Sequence, residues 1–159
     1  MERDDLFFEL PPRQGPRPET TQPSHTNPMP HKQTSQNAPI QLQEQLFERA
    51  RGLPGVVVGH SLVSVPGARA FHLEEDRAGG PQEAFQAATE FAHLHPRHDG
   101  SLHLTLPPRL YREVLDKGWG EPHPVSGTMM VFGPRDAQEL ETVWRIVQAS
   151  YAYATGTQL

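Results

Sequence analysis

The chain has 159 residues, contains no cysteine and carries a formal net charge of −5 at pH 7. The lack of cysteine excludes disulfides, thiolate metal sites and cysteine nucleophiles, and the acidic balance argues against binding to a nucleic-acid backbone. No apolar run approaches the roughly 18 residues of a membrane span, and the acidic first residues are unlike a secretory signal. We therefore expect a cytoplasmic protein that binds neither nucleic acid nor membranes.

The first 39 residues differ in composition from the rest of the chain. Eight of the 17 prolines lie within residues 1–40, and most of the remaining positions there are polar. So few apolar side chains cannot offset the entropy cost of ordering the backbone. The composition predicts a disordered, proline-rich tail over residues 1–39, with no role for His25 or His31, followed by a single domain over residues 40–159.

Periodicity predicts a helix and then a strand-rich stretch at the start of the domain. Apolar residues recur at helical spacing over residues 42–50, and Gly52 follows as a stop signal. Residues 56–58 are all valine, and residues 62–65 and 70–73 flank a Pro-Gly turn. These three runs favour an antiparallel meander of two or three strands.

The sequence pattern in the second half of the domain predicts a hairpin flanked by helices. Residues 91–95 and 101–106 alternate with period two around Asp99-Gly100, a dipeptide typical of hairpin loops. The other predicted elements are a short helix over 82–90, a helix after Pro107-Pro108, a loop over 119–127, a strand over 128–132 and a long helix capped by Asp136. The fold class is α+β, a single domain in which an antiparallel sheet packs against helices.

Strand alternation places three histidines of the hairpin on one face. His93 and His95 share a face with Phe91 in the first strand, and His103 lies on the matching face of the second. Leucines fill the opposite face and are expected to pack on the helices. Imidazoles at this spacing can ligate a divalent metal, or one can act as a general base while the others orient it or hold an oxyanion.

Two loops contribute further candidate residues. His98 and Asp99 are expected at the rim of the histidine face, where they complete the candidate catalytic set. His123 lies between two prolines that restrict its backbone, which makes it a further catalytic candidate. Trp119 and Glu121 are candidates for substrate binding, although packing is the commoner role of a tryptophan. Glu121 could support a histidine or serve as an acid, and simple exposure of the carboxylate is an equally ordinary role.

Together these residues resemble the luciferase-domain family, which is named after the fungal luciferases. Those enzymes carry the string Ala-His-x-His-x-x-His-Asp-x-(Ser/Thr)-Leu-His-Leu, followed by Lys-Gly-Trp-Gly and His-Pro. The matching positions here are Ala92, His93, His95, His98, Asp99, Ser101, Leu102, His103, Leu104, Lys117, Gly118, Trp119, Gly120, His123 and Pro124. The resemblance is dense from about residue 85 to residue 154 and does not reach the proline-rich tail.

In the fungal branch the resemblance implies oxygenation of a hydroxylated styryl-pyrone by dioxygen, without an organic cofactor. The loop from Val125 to Thr128 is much shorter than its fungal counterpart, so we expect no useful light emission from this chain.

Three functions remain open from the sequence. The first is a cofactor-independent oxygenase in which a histidine removes a proton from a small enolisable or phenolic substrate. The second is a divalent-metal enzyme with His93, His95 and His103 as ligands. The third is a non-catalytic module that binds a small ligand. The sequence does not indicate an oligomeric state.

Overall fold

Six short strands form one antiparallel sheet in a computed structural model that describes residues 6–157. The strands are β1 (Val56–His60), β2 (Arg69–Leu73), β3 (Glu90–Leu94), β4 (Leu102–Leu104), β5 (Gly120–Pro122) and β6 (Met129–Val131). Their order across the sheet is β1-β2-β3-β4-β6-β5, so the predicted hairpin of β3 and β4 lies at the centre.

Three α-helices accompany the sheet: α1 (Ile40–Arg51), α2 (Pro108–Asp116) and α3 (Ala137–Thr155). The long helix α3 begins as predicted, because the Asp136 side chain accepts a hydrogen bond from the Glu139 amide at 2.8 Å. It ends at Gly156, whose φ of 79° is the left-handed conformation that glycine adopts without strain. The α+β fold with a long C-terminal helix is therefore confirmed.

The apolar core joins the leucine face of the central hairpin to the helices. Leu94, Leu102 and Leu104 are fully buried in one cluster with the apolar stripe of α3. The buried members of that stripe include Leu140, Val143, Ile146 and Val147. Burial of this face leaves the opposite face of β3 and β4 free to carry polar side chains.

A bulge in β3 changes which of its side chains share a face. The pairing with β2 includes Ala92 and Glu90 but skips Phe91. Phe91 consequently packs in the core against Tyr151, with 6.0 Å between ring centroids, while Glu90 contacts His93 on the opposite face. The prediction that Phe91 lies on the histidine face is wrong, because strict alternation is interrupted at a bulge.

Two other local predictions are also wrong. A helix over residues 82–90 is replaced by a single 3-10 turn at Gln82–Ala84, since Ala88 has a φ of 49° that a helix does not admit. The loop predicted over residues 119–127 contains strand β5, which pairs with β6 at the edge of the sheet.

Residues 62–65, predicted as a strand, form bends instead. The backbone amide of Leu62 donates to the Glu90 carboxylate at 2.8 Å, which draws the chain away from the edge of β1. The side chains of Leu62 and Val63 are left exposed. A carboxylate on β3 thus competes successfully with strand pairing.

The structure differs from the expected disordered tail. Residues 6–39, which we call the N-terminal segment, lie against the domain in an extended course, while residues 1–5 lie outside the described residues. Leu10 is buried in the core, the Trp119 indole donates to the Pro11 carbonyl at 2.6 Å, and the Gly133 amide donates to the Gln33 side chain at 3.0 Å. Such bonds to distant parts of the chain order a polar segment, and composition does not reveal them.

Across residues 6–157, none of the helices has the length and apolar character needed to cross a membrane.

Candidate functional site

A cavity of about 530 Å³ opens over the polar face of β3 and β4. Its floor carries the histidines of the hairpin, and its walls come from the N-terminal segment and from the stretches that contain residues 63–65, 86, 96–99 and 123–128. The residues around it are Pro28, Met29, Pro30, His31, Lys32, Val63, Ser64, Val65, Gln86, His93, His95, Pro96, His98, Asp99, His103, His123, Ser126 and Thr128. The volume lies in the range of small-molecule sites.

The floor of the cavity is formed by His93, His95 and His103, all of them buried. His93 and His103 are direct partners in the pairing of β3 with β4, and His95 follows two residues after His93. One ring nitrogen of each lies within 4.8 Å of those of the other two. The structure thus brings together the three imidazoles that strand alternation placed on one face.

His93 presents an unpartnered nitrogen to this space. Its Nδ1 lies 2.9 Å from a Glu90 carboxylate oxygen and 2.8 Å from the Gln86 amide oxygen, so Nδ1 carries a proton and donates it. Its Nε2 is buried and has no hydrogen-bond partner within residues 6–157. In the neutral ring this atom bears a lone pair that can accept a proton.

Burial lowers the pKa of His93, because the charged imidazolium loses its hydration, and this outweighs the opposing bond to Glu90. Burial opposes ionisation of Glu90 as well. Hydrogen bonds from His93, the Leu62 amide and the Ser61 hydroxyl nevertheless hold the pKa of Glu90 below its usual value. A neutral imidazole backed by a carboxylate is the arrangement of a general base.

A continuous row of hydrogen bonds runs beside His93 and involves the other two floor histidines. We call it the histidine row, and its members in order are Asp99, His95, His103, His31 and Glu121. Nδ1 of His95 is hydrogen-bonded to the Ser101 hydroxyl at 2.8 Å and lies 3.2 Å from Asp99, and its Nε2 lies 2.9 Å from Nδ1 of His103. Nε2 of His103 lies 2.9 Å from Nδ1 of His31, whose Nε2 lies 2.8 Å from Glu121.

The two ends of the histidine row are carboxylates held in the ionised form. Burial disfavours the Glu121 charge, but bonds from His31, Arg17 and Thr20 lower the pKa of Glu121 to about 2. Burial likewise opposes ionisation of Asp99, and bonds from His95 and Ser101 still lower its pKa.

The central ring of the row is His103. Burial, followed by the neighbouring histidines, lowers its pKa well below the usual value, so this ring is neutral.

The remaining predicted residues fall in different places. His98 is exposed at the rim of the cavity. His123 is half-buried beside His31 and His103, and its Nδ1 accepts from the Val125 and Ser126 amides, so in the neutral ring Nε2 carries the proton. Burial, then the charges of nearby histidines, lowers the pKa of His123.

Neither proposed substrate-binding residue lines the cavity as the structure describes it. Trp119 is buried in the apolar core and holds the N-terminal segment through its indole nitrogen. Glu121 lies behind His31 at the end of the histidine row. The indole is therefore a packing group, and the carboxylate supports a histidine, which is one of the two roles its sequence context suggested.

Three residues of the site escaped the sequence analysis. Glu90 was the last residue of the helix predicted over residues 82–90, and the bulge that places it beside His93 is not visible in the sequence. Gln86 lay in a segment predicted to be helical, and His31 lay in a segment expected to be disordered. The one usable signal was the spacing of Glu90 three residues before His93, which resembles the support that metal-bound and catalytic histidines receive from carboxylates.

The three floor histidines could hold a divalent metal ion. The orphaned Nε2 of His93 fits this role, and three imidazoles with an open position are a common donor set for catalytic zinc. A metal that took Nε2 of His95 and Nδ1 of His103 would replace the hydrogen bond that now joins those atoms.

Comparison with known proteins agrees with the residues of the site. Residues 88–150 match the family model of the luciferase domain. The luciferases of Armillaria mellea and Armillaria gallica are each 33% identical over 92% of this chain and 62% of their own length. The luciferase of Neonothopanus nambi is 40% identical over 42% of this chain and 28% of its own length.

The chain thus spans about 62% of the length of the Armillaria relatives. No solved structure matches it.

Proposed function

Because this chain belongs to the luciferase-domain family, we propose that it is an enzyme that oxygenates a small enolisable or phenolic molecule, with His93 as the general base. The observation that carries the proposal is the Nε2 atom of His93, which is buried, unpartnered within residues 6–157 and directed by Glu90 from behind.

The reaction begins with proton transfer from the substrate to Nε2 of His93. The Nδ1–H bond to Glu90 stabilises the imidazolium that results. The substrate anion then gives two electrons to dioxygen, and a carbon–oxygen bond forms. The terminal oxygen of the peroxide anion takes back the proton from His93, so that substrate and dioxygen sum to a hydroperoxide.

The walls of the cavity suit a flat, largely apolar molecule. Met29, Val63, Val65 and Pro96 line it, and the buried histidines lie at its floor. Apolar walls with a few placed polar groups orient a small ligand and exclude water, which strengthens the interactions of the anion formed there.

Uptake of dioxygen tests the proposal. The full chain is incubated with a panel of phenols, hydroxypyrones and β-diketones, and His93→Gln is compared with the unchanged chain. Loss of a general base is expected to cost at least about a hundredfold in rate. His60→Gln is the matched control, since His60 lies at the edge strand β1 and outside the cavity. Equal rates in His93→Gln and the unchanged chain contradict the assignment.

A metal-dependent enzyme is the second candidate, and the grouping of the three floor histidines favours it. Metal analysis of the purified chain and assay after chelation separate the two. Activity that survives complete metal removal supports the base mechanism, and stoichiometric metal with loss of activity on chelation supports the second candidate.

The third candidate, a binding module, predicts that a panel compound binds without any uptake of dioxygen. Light emission is expected from none of these, since the Val125 to Thr128 loop beside the cavity is much shorter than its fungal counterpart. Saturable emission with a hydroxylated styryl-pyrone would contradict this expectation.

A further inference from the structure

We propose that Gln86 is a substrate-binding residue of this site, and that its side-chain amide donates a hydrogen bond to an acceptor oxygen close to the group that His93 deprotonates. The inference rests on the proposed function for the part that His93 takes in it. The orientation of the Gln86 amide, and its ability to bind an oxygen ligand, are independent of that function.

The side-chain amide of Gln86 has one bonded end and one free end. Its Oε1 lies 2.8 Å from Nδ1 of His93, whereas its Nε2 is buried and has no hydrogen-bond partner in the part of the chain that the structure describes. Gln86 is one of the residues around the cavity. A buried N–H group without an acceptor is costly, and a ligand that brings an acceptor oxygen removes that cost.

The orientation of this amide follows from Glu90. Nδ1 of His93 also lies 2.9 Å from a Glu90 carboxylate oxygen, and a carboxylate only accepts, so Nδ1 carries a proton. Gln86 therefore turns its oxygen towards that proton and its NH2 group away from it. Nδ1 keeps its proton whether Nε2 of His93 is free, protonated or bound to a metal, so the NH2 group is placed in the same way in all three cases.

The backbone holds Gln86 beside Glu90. The Gln86 amide donates to the Glu90 carbonyl at 2.7 Å, and the Glu90 amide donates to the Ala87 carbonyl at 2.9 Å. These two bonds close a tight turn in which Ala88 has a left-handed φ of 49°. Both residues that contact Nδ1 of His93 are thus fixed relative to each other, and a ligand meets an amide that is already in place.

The free atoms of Gln86 and His93 are complementary. Of the four buried side-chain polar atoms that lack a partner among residues 6–157, these two nitrogens are the ones that belong to residues around the cavity. Nε2 of Gln86 is a donor, and Nε2 of the neutral His93 ring is an acceptor.

The spacing of these two atoms favours a ligand with two polar groups. The 2.8 Å bond between the two side chains and the dimensions of the amide and the ring put the free nitrogens about 5–7 Å apart. Two oxygens of one small molecule span this distance at ordinary hydrogen-bond lengths, whereas a single oxygen reaches only its lower end.

The class of ligand that satisfies both atoms is an acidic compound with a separate carbonyl oxygen nearby. A β-diketone is an example, because its acidic hydrogen lies on the carbon next to a carbonyl group. When His93 takes that hydrogen as a proton, negative charge moves onto the carbonyl oxygen, where the N–H of Gln86 stabilises it. Within the proposed range of substrates, Gln86 therefore favours enolisable carbonyl compounds over simple phenols.

Binding of two matched ligands tests the proposal. 2-Acetylphenol and 2-ethylphenol have similar shapes and the same hydroxyl group, but only the first has a carbonyl oxygen. The full chain is expected to bind 2-acetylphenol more tightly, and Gln86→Met is expected to lower that preference by about 3–10-fold, the usual effect of one hydrogen bond. The lost contact between Oε1 and His93 affects both ligands alike and cancels in the ratio of dissociation constants.

Gln82→Met is the matched control. It changes an exposed glutamine four residues earlier, which lies outside the cavity, and is expected to keep the preference for 2-acetylphenol.

Side-chain amide NMR of the unchanged chain covers the case in which Gln86→Met fails to fold. The NH2 protons of Gln86 are expected to shift downfield when 2-acetylphenol is added and to shift much less with 2-ethylphenol. The absence of a preference for 2-acetylphenol in the unchanged chain, a preference that Gln86→Met retains, or equal shifts with the two ligands overturns the proposal.

The dioxygen assay separates this proposal from the proposed function. Gln86→Met is expected to lower kcat at least about tenfold with the β-diketones of the panel, and less with its simple phenols. If the preference for 2-acetylphenol depends on Gln86 but no compound leads to uptake of dioxygen, the proposed function fails and Gln86 still binds the ligand. If uptake depends on His93 but falls equally for β-diketones and phenols in Gln86→Met, the role of Gln86 fails and the proposed function stands.

Discussion

The hairpin of β3 and β4 and the N-terminal segment both line the cavity, but different interactions hold them in place. The hairpin is ordered by burial, since its leucines pack in the core and its histidines follow from alternation. The N-terminal segment contains few apolar residues and is held by hydrogen bonds to distant side chains and backbone groups. The structure of the hairpin can be predicted from its own sequence, whereas that of the N-terminal segment depends on partners about a hundred residues away.

The comparison predicts that truncation in the hairpin has the largest effect. Leu104→Ala is expected to lower the free energy of unfolding by about 2–5 kcal/mol, because it leaves a cavity in a fully buried cluster. Denaturant unfolding monitored by circular dichroism measures the loss. A change below about 1 kcal/mol would show that the leucine face is not part of the core.

Removal of residues 1–38 tests whether the N-terminal segment is bound. The loss of buried Leu10 alone is expected to cost at least about 1.5 kcal/mol, and the Trp119 indole also loses its acceptor. Thermal and denaturant unfolding of the shortened chain check this. Unchanged stability would instead agree with the disorder that composition suggested.

The stabilisation that comes from binding of the N-terminal segment to Glu121 is expected to depend on pH. The pKa of Glu121 is about 2 in the folded chain, below its value in the unfolded chain, so its stabilising effect is complete above about pH 4.5. It is lost as the pH falls from there towards 2. Urea midpoints at pH 5 and pH 3 measure the loss, and the part due to this group is expected to vanish in Glu121→Gln. If the urea midpoint falls equally between pH 5 and pH 3 in the unchanged chain and in Glu121→Gln, the assignment is contradicted.

The smallest effect is expected at a single polar contact. Asn37 donates from its side chain to the backbone carbonyls of Gln33 and Asp99, each at 2.8 Å. Asn37→Ala is expected to cost about 1 kcal/mol. Asn27→Ala, at an exposed position of the same segment, serves as the control in the same unfolding experiment. Equal losses in both variants would mean that the contact to the hairpin loop adds nothing.

The sequence predicts features that depend on local repetition. Helix α3 and its Asp136 cap, the central hairpin and the grouping of His93, His95 and His103 all follow from periodicity or short motifs. Such patterns arise because one face of each element is buried, and they are therefore visible in a single sequence.

Features set by long-range contacts could not be predicted in this way. The bulge that moves Glu90 beside His93 depends on pairing with β2. The burial of His31 depends on Glu121, 90 residues further along the chain. Neither contact leaves a local period, so the three hairpin histidines were grouped from the sequence without Glu90 and without His31.

The position of His31 ahead of every strand has a consequence for synthesis. The segment that carries it leaves the ribosome before the strands do, and both groups that bind its ring, His103 and Glu121, are made much later. The segment must stay unattached until the sheet has formed and then dock as a late event. The cavity is therefore completed only after the domain, and a chain halted before residue 121 would carry the floor histidines without the carboxylate that binds His31.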